Sequence, residues 1–232
     1  MSDIETRLAD VNRRIQDAAL RTQRDPADIT LIAVSKTWPW AYVANAIACG
    51  QRHFGENKVQ EALAKIEKTR GQHHIAWHFI GHLQSNKAKF IPGNFQWLHT
   101  LDSMKLAKQL EKFCEQSATE LNVLVQVNIA EDPAKQGLAR DELEPFLEDF
   151  LRAGIQRLKL RGLMTIGAVD ADEKTRRKWF AELRNLRESL SKKYALPDFD
   201  QLSMGMSGDF EEAIEEGATM VRVGSTIFGE RG

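Results

Sequence analysis

Strand-like and helix-like segments alternate along almost the entire chain. Eight short runs are rich in apolar or β-branched residues, as the strands of a buried sheet are. They lie at 30–34, 52–54, 77–80, 97–101, 123–129, 158–166, 201–204 and 220–223. Helical patterns follow seven of them, at 39–49, 57–69, 84–90, 103–118, 140–153, 171–193 and 209–216. Because a helix between two strands returns the chain to its starting edge, the strands are expected to be parallel.

This alternation predicts an α/β protein with a (β/α)8 TIM barrel. The competing architecture is an open doubly wound sheet, which would concentrate functional residues at one switch point. The conspicuous polar residues instead follow many different strands, which favours the barrel. The 232 residues contain no Pro/Gly/Ser-rich linker, so we predict one domain over 1–232, with an amphipathic helix at 1–24 and the barrel at 30–229.

Charge and cysteine content limit the partners and the compartment. The 32 basic and 33 acidic residues leave a net charge of −1, so no general positive field favours nucleic acid or an anionic membrane. Cys49 and Cys114 are too few for a disulfide framework or a cysteine metal site. Residues 1–30 carry charges throughout, and no later run approaches the ~18 apolar residues of a membrane span. We therefore expect a cytoplasmic, monomeric protein with a small-molecule ligand.

Lys36 follows directly on the apolar run 31–34, so a barrel would place its amine at the barrel mouth, partly shielded from water. Partial burial disfavours the ammonium, and the neutral amine is the form that makes a Schiff base with an aldehyde. A surface lysine just beyond a strand would have no such role. Position alone leaves both interpretations open.

Two loops of small residues near the C-terminus are candidates for a phosphate site. Residues 203–209 lead from a strand into a helix, and the last strand ends in Gly224 and two hydroxyl residues. Small residues and free N–H groups at helix N-termini favour phosphate, and the loops after the last two strands of a barrel often bind it. A plain helix cap is the simpler explanation for either loop taken alone.

Arg222 lies inside the last strand, and side-chain alternation points its neighbours to the opposite face. An arginine that faces the barrel interior needs a partner, and a salt bridge with Glu56 or Asp102 is the structural alternative to a ligand contact.

His78 and His82 could indicate a metal site. However, their spacing spans a strand end rather than one helix face, which favours hydrogen-bonding or core roles.

Five blocks of sequence resemble the pyridoxal phosphate homeostasis protein family. They are 33–36 (AVSK), 54–61 (FGENKVQE), 78–87 (HFIGHLQSNK), 161–164 (RGLM) and the stretch from LSMGMS at 202 to Gly229. The blocks occur in the family's order and cover the chain from near residue 30 to its end.

The resemblance implies a barrel similar to the N-terminal domain of bacterial alanine racemase, with pyridoxal 5′-phosphate held as a Schiff base on Lys36. It also implies that Arg222 contacts the pyridine nitrogen and that the two loops hold the phosphate. The expected cofactor residues are Lys36, Asn57, His78, Met206, Ser207, Gly208, Arg222, Gly224, Ser225 and Thr226.

The implied function is reversible binding, in which the protein buffers pyridoxal phosphate or delivers it to pyridoxal phosphate-dependent apoenzymes and so affects amino-acid and vitamin B6 pools. The alternative is a slow racemase or lyase. A racemase needs a second base facing the lysine, which relatives of the fold take from a tyrosine of an additional C-terminal domain. Tyr42 and Tyr194 fall in predicted helices and the sequence ends at Gly232, so we predict no catalytic residue. An arginine at the pyridine nitrogen also weakens the ring as an electron sink.

Overall fold

Eight parallel strands close into a barrel in chain order, with the last strand paired to the first. The protein is described by a computed structural model over residues 3–167 and 170–230. The strands are β1 (Thr30–Val34), β2 (His53–Glu56), β3 (Ala76–Phe79), β4 (Trp97–Leu101), β5 (Leu121–Gln126), β6 (Leu158–Met164), β7 (Gln201–Met206) and β8 (Met220–Val223). The predicted (β/α)8 barrel is confirmed, and the open doubly wound sheet is ruled out because no strand of the barrel is left as an edge.

Helices surround the barrel. They are α1 (Asp3–Arg21), α2 (Trp40–Ala48), α3 (Val59–Ile66), α4 (Met104–Ser117), α5 (Arg140–Arg152), α6 (Glu173–Lys193), α7 (Phe210–Glu215) and α8 (Ser225–Phe228). The segment Ser85–Phe90, predicted as an α-helix, is a 3-10 helix. The single turn α8 lay below what periodicity can reveal, because four residues contain barely one repeat.

Side-chain alternation along the strands separates two apolar cores. Val221 and Val223 point outward into the large core between barrel and helices, to which α1 also contributes. A smaller core fills the barrel interior and consists of Ile32, Leu124, Met164 and Met220. Arg222 follows Met220 by two positions and therefore faces the interior, as alternation predicts.

The N-terminal helix covers one side of the barrel. Its predicted apolar stripe is buried, from Ile4 through Val11 to Ala19, and α1 packs against α7 and α8. Within residues 3–167 and 170–230, no helix combines the length and the apolar character that a membrane span needs.

Candidate functional site

A cavity of about 740 Å³ opens at the carboxyl ends of the strands, where barrel proteins bind their ligands. Most of the predicted cofactor residues line it: Lys36, Asn57, Met206, Ser207, Gly208, Arg222, Gly224 and Ser225. The cavity thus brings together residues that are far apart in sequence, from β1, β2, β7, β8 and the loops that follow these strands.

Two of the predicted residues lie elsewhere. His78 is completely buried inside the barrel, where its ring contacts His53 and His99. Thr226 lies in the single turn α8 and is not among the residues that line the cavity. In both cases the direction of the side chain is the reason. The His78 side chain, within β3, points into the barrel interior rather than toward the barrel mouth. Thr226 follows Ser225 in a helical turn, so its side chain points away from that of Ser225.

The cavity also contains residues that sequence reasoning missed. Thr100 and Gln126 come from the ends of β4 and β5, and Ile166 follows β6. Lys135 reaches the cavity from the loop after β5. For Thr100, Gln126 and Ile166, the available signal was a position at or just beyond a strand end, since the side chains there surround the mouth of any such barrel. Lys135 lies farther along its loop and gave no such signal.

Lys36 is half-buried and lies in the turn after β1. Both of its neighbours are held by polar side chains, which are buried on the Ser35 side. The Ser35 hydroxyl donates to Oε1 of Glu56 at 2.6 Å, and the Ser35 carbonyl accepts from Nζ of Lys65 at 2.8 Å. On the other side, the Thr37 N–H donates to the Glu61 carboxylate, and Thr37 adopts a φ of 71°, which is uncommon for a β-branched residue.

Lys65 connects these contacts. Its Nζ donates to Glu56 at 2.8 Å and to Glu61 at 2.9 Å. Burial raises the pKa of Glu56, while the hydrogen bonds from Lys65 and Ser35 lower it. Lys65 thus joins both acidic side chains to the turn that presents Lys36.

Arg222 is buried, and its partners are neutral oxygens. One terminal nitrogen donates to the Ser203 hydroxyl at 2.6 Å and the other to the Thr165 carbonyl at 2.8 Å. Burial lowers the pKa of Arg222 to about 10, against the opposing effect of the Asp209 carboxylate, so the guanidinium is charged at neutral pH.

The salt bridges considered for Arg222 are therefore wrong. Glu56 lies three positions after the inward-facing His53, so alternation points it out of the barrel, where it pairs with Lys65. Asp102 lies beyond the end of β4, with a carboxylate oxygen 3.8 Å from Nδ1 of His82.

The two small-residue loops meet at the cavity. The Gly224 N–H donates to the Ser207 hydroxyl at 3.2 Å, which ties the loop after β8 to the loop after β7. Gly205 has a φ of 90°, and a Cβ there would lie 2.6 Å from the Cβ of Ala213. This glycine permits the register shift between Ser203 and Met206 that brings Met206 opposite Arg222 at the cavity.

Three histidines form a row inside the barrel. Nδ1 of His53 lies 3.0 Å from Nε2 of His78, and Nδ1 of His78 lies 2.9 Å from Nε2 of His99. Nδ1 of His99 lies 2.8 Å from the Ser203 hydroxyl, which joins the row to Arg222. Among the described residues, no group of three or more His, Cys, Asp or Glu side chains is arranged to hold a metal ion.

The chain matches the family model of the alanine racemase N-terminal domain over residues 10–232. It is 42% identical over 233 residues to the pyridoxal phosphate homeostasis protein of Escherichia coli strain K12, with 100% of this chain and 98% of that protein covered. The solved structures of PipY from Synechococcus elongatus are also similar. The form without PLP has a TM-score of 0.86 at 37% identity, and the form with PLP bound has 0.84 at 35% identity. Each covers 97% of this chain and 100% of PipY.

Proposed function

Because this chain belongs to the pyridoxal phosphate homeostasis protein family, we propose that it binds pyridoxal 5′-phosphate in the cavity at the barrel mouth, as a Schiff base on Lys36. It serves homeostasis by buffering the cofactor or by delivering it to apoenzymes. The observation that carries the proposal is that Lys36, Arg222 and the two joined small-residue loops line one cavity. A cytoplasmic location and a monomeric state belong to the same proposal.

The donor groups of the cavity fit this ligand. Lys36 offers an amine to the aldehyde, and their condensation releases one water. Arg222 offers guanidinium donors beyond those bound to Ser203 and Thr165, since an arginine has five N–H groups. Oδ1 of Asn57 is buried without a hydrogen-bond partner among the described residues, so a donor on the ligand would satisfy it.

The charge of the cavity and the open backbone at Gly208 also suit the phosphate group of the ligand. Lys36, Lys135 and Arg222 give the cavity a positive surplus over Glu230, although the whole chain carries a net charge of −1. A Cβ at Gly208 would meet nothing within 4 Å, so the backbone there is open to a ligand. The loops' other backbone N–H groups, beyond those of Met206 and Gly224, and the hydroxyls of Ser207 and Ser225 are donors of the kind that a phosphate dianion prefers.

Binding without turnover is the better account of the same geometry. Bound pyridoxal phosphate supplies an aldehyde and a pyridine ring that can accept electron density. Tyr42 lies in α2, and the Tyr194 hydroxyl lies 2.8 Å from a Glu144 carboxylate oxygen and 3.0 Å from one of Glu148, both on α5. Neither of the two tyrosines lines the cavity. The second base that a racemase needs is therefore not supplied by a tyrosine of this chain. A slow racemase or lyase stays the alternative.

The test is a titration of the purified protein with pyridoxal phosphate, followed by absorbance. The wild type should develop the absorbance of a lysine Schiff base, and Lys36→Ala should not. Lys135→Ala is the matched control, because Lys135 lines the same cavity and its amine is not assigned to the aldehyde. Schiff-base absorbance that survives in Lys36→Ala and disappears in Lys135→Ala would overturn the assignment.

A further inference from the structure

We propose that His53, His78 and His99 are positioning residues, which act as one hydrogen-bonded row of fixed direction to hold Arg222 in the cavity through Ser203. The contribution of the row to ligand binding rests on the proposed function. Its direction follows from hydrogen-bond chemistry alone.

The direction is set by Arg222. A guanidinium only donates, so the Ser203 oxygen must accept from it, at 2.6 Å. Among the described residues, the Ser203 hydroxyl has one other hydrogen-bond partner, Nδ1 of His99 at 2.8 Å. A buried hydroxyl whose hydrogen had no acceptor would cost free energy, so Ser203 donates to His99.

The rest of the row follows from this step. Nδ1 of His99 accepts, so a neutral His99 carries its proton on Nε2 and donates it to Nδ1 of His78. By the same reasoning, Nε2 of His78 donates to Nδ1 of His53. All three rings therefore have their proton on Nε2, and every hydrogen bond in the row runs from Ser203 toward His53.

Burial and charge keep the rings neutral. Burial lowers the pKa of His78 and of His99 well below the ordinary value, and the Arg222 guanidinium lowers that of His99 further. Burial also lowers the pKa of His53, which is only half-buried and is the outer end of the row. Trp97 stacks on His78 with an angle of 8° between the ring planes.

The row matters because, within residues 3–167 and 170–230, no carboxylate forms a salt bridge with Arg222. Two neutral acceptors, the Ser203 hydroxyl and the Thr165 carbonyl, hold its guanidinium. The Thr165 carbonyl is fixed by the backbone, whereas a serine hydroxyl can rotate. Donation to His99 fixes the hydroxyl hydrogen away from Arg222 and leaves its lone pairs facing the guanidinium.

The direct test is histidine side-chain nitrogen NMR of the ligand-free wild type at about pH 8, where neutral imidazole predominates. The expected result is an unprotonated Nδ1 and a protonated Nε2 in His53, His78 and His99. A proton on Nδ1 of any of the three would overturn the proposal. This measurement requires neither a substitution nor pyridoxal phosphate, so it separates failure of the row from failure of the proposed function.

Substitutions then test whether the row positions Arg222. Ser203→Ala should change the His99 and His78 nitrogen shifts and weaken pyridoxal phosphate binding about tenfold, the equivalent of about 1.4 kcal/mol. Ser203→Thr keeps the hydroxyl and should restore both. Trp97→Phe is the control, since it alters packing on His78 and leaves each hydrogen bond of the row in place. Histidine shifts that stay unchanged in Ser203→Ala, or affinity that stays unchanged while the shifts move, would contradict the positioning role.

Discussion

Nζ of Lys65 lies 2.8 Å from the carbonyl oxygen of Ser35, the residue that precedes Lys36. The same ammonium bonds to Glu56 and Glu61, and Glu61 in turn accepts from the Thr37 N–H. A single buried lysine on α3 thus fixes the backbone on both sides of the proposed Schiff-base lysine.

Lys65→Met should destabilise the protein strongly, because it leaves the Glu56 carboxylate buried and unpaired. Removal of one partner of a buried ion pair costs about 3–5 kcal/mol. Chemical denaturation of the ligand-free protein should show a decrease of this size in the free energy of unfolding. The double variant Lys65→Met, Glu56→Gln should recover part of that decrease. Lys68→Met is the control, because Lys68 is exposed and lies over the Trp40 ring. This variant should lower the free energy of unfolding by less than about 1 kcal/mol. Equal losses for Lys65→Met and Lys68→Met would show that the buried network contributes little.

Arg222→Gln should change the absorbance spectrum of bound pyridoxal phosphate while leaving its affinity measurable. The amide can still donate a hydrogen bond, but the positive charge beside the ring is lost. Arg161→Gln is the control, since Arg161 bonds to Asn122 and does not line the cavity. An unchanged spectrum combined with a large loss of affinity would place Arg222 at the phosphate instead of the pyridine nitrogen.

Ser207→Ala should weaken binding of pyridoxal phosphate much more than binding of unphosphorylated pyridoxal. The substitution removes a hydroxyl donor and the acceptor that joins the Gly224 loop to the β7 loop. One hydrogen bond to a charged group contributes about 1.5–3 kcal/mol, which corresponds to roughly a tenfold to hundredfold loss. Isothermal titration of both ligands would measure the difference.

Thr226→Ala is the matched control for Ser207→Ala, because Thr226 lies off the cavity. It should leave both affinities nearly unchanged. Gly224→Val is a poorer probe, since a Cβ at Gly224 would lie 3.3 Å from the Val34 carbonyl oxygen and would disturb β1 as well. Equal losses for the two ligands in Ser207→Ala would mean that the loops do not bind the phosphate.

The histidine row should make the folded state sensitive to mild acid. Burial lowers the pKa of His78 and His99, so below the ordinary histidine pKa of 6.5 the unfolded chain binds protons that the folded chain does not. The free energy of unfolding therefore keeps its full value above this pH and decreases as the pH falls below it. The decrease is about 1.4 kcal/mol per pH unit for each proton that only the unfolded chain binds. Glu56, whose pKa burial raises, acts in the opposite direction.

Denaturant titrations of the ligand-free protein between about pH 7.5 and 5.5 would measure this slope. His73→Gln should retain it, because His73 is exposed. A free energy of unfolding that is constant over the interval, or that rises as the pH falls, would contradict the account of the buried row.

The barrel could be predicted because each strand–helix unit has its own periodicity, and β1, β4 and β8 have the predicted bounds. Alternation predicted only that Arg222 faces away from Val221 and Val223, and the structure shows that this face is the barrel interior. Its partners could not be predicted, since Ser203 and Thr165 are brought to it only by closure of the barrel. The same holds for His78, which the family resemblance placed among the cofactor residues although its side chain lies among other histidines, off the cavity.

Borohydride reduction of the protein loaded with pyridoxal phosphate, followed by peptide mapping, identifies the lysine that binds the cofactor. Reduction makes a lysine Schiff base irreversible, so the label records which amine held the aldehyde. We expect one label per chain, on Lys36. Labelling mainly on another cavity lysine such as Lys135, or on Lys58 or Lys87, would contradict this expectation.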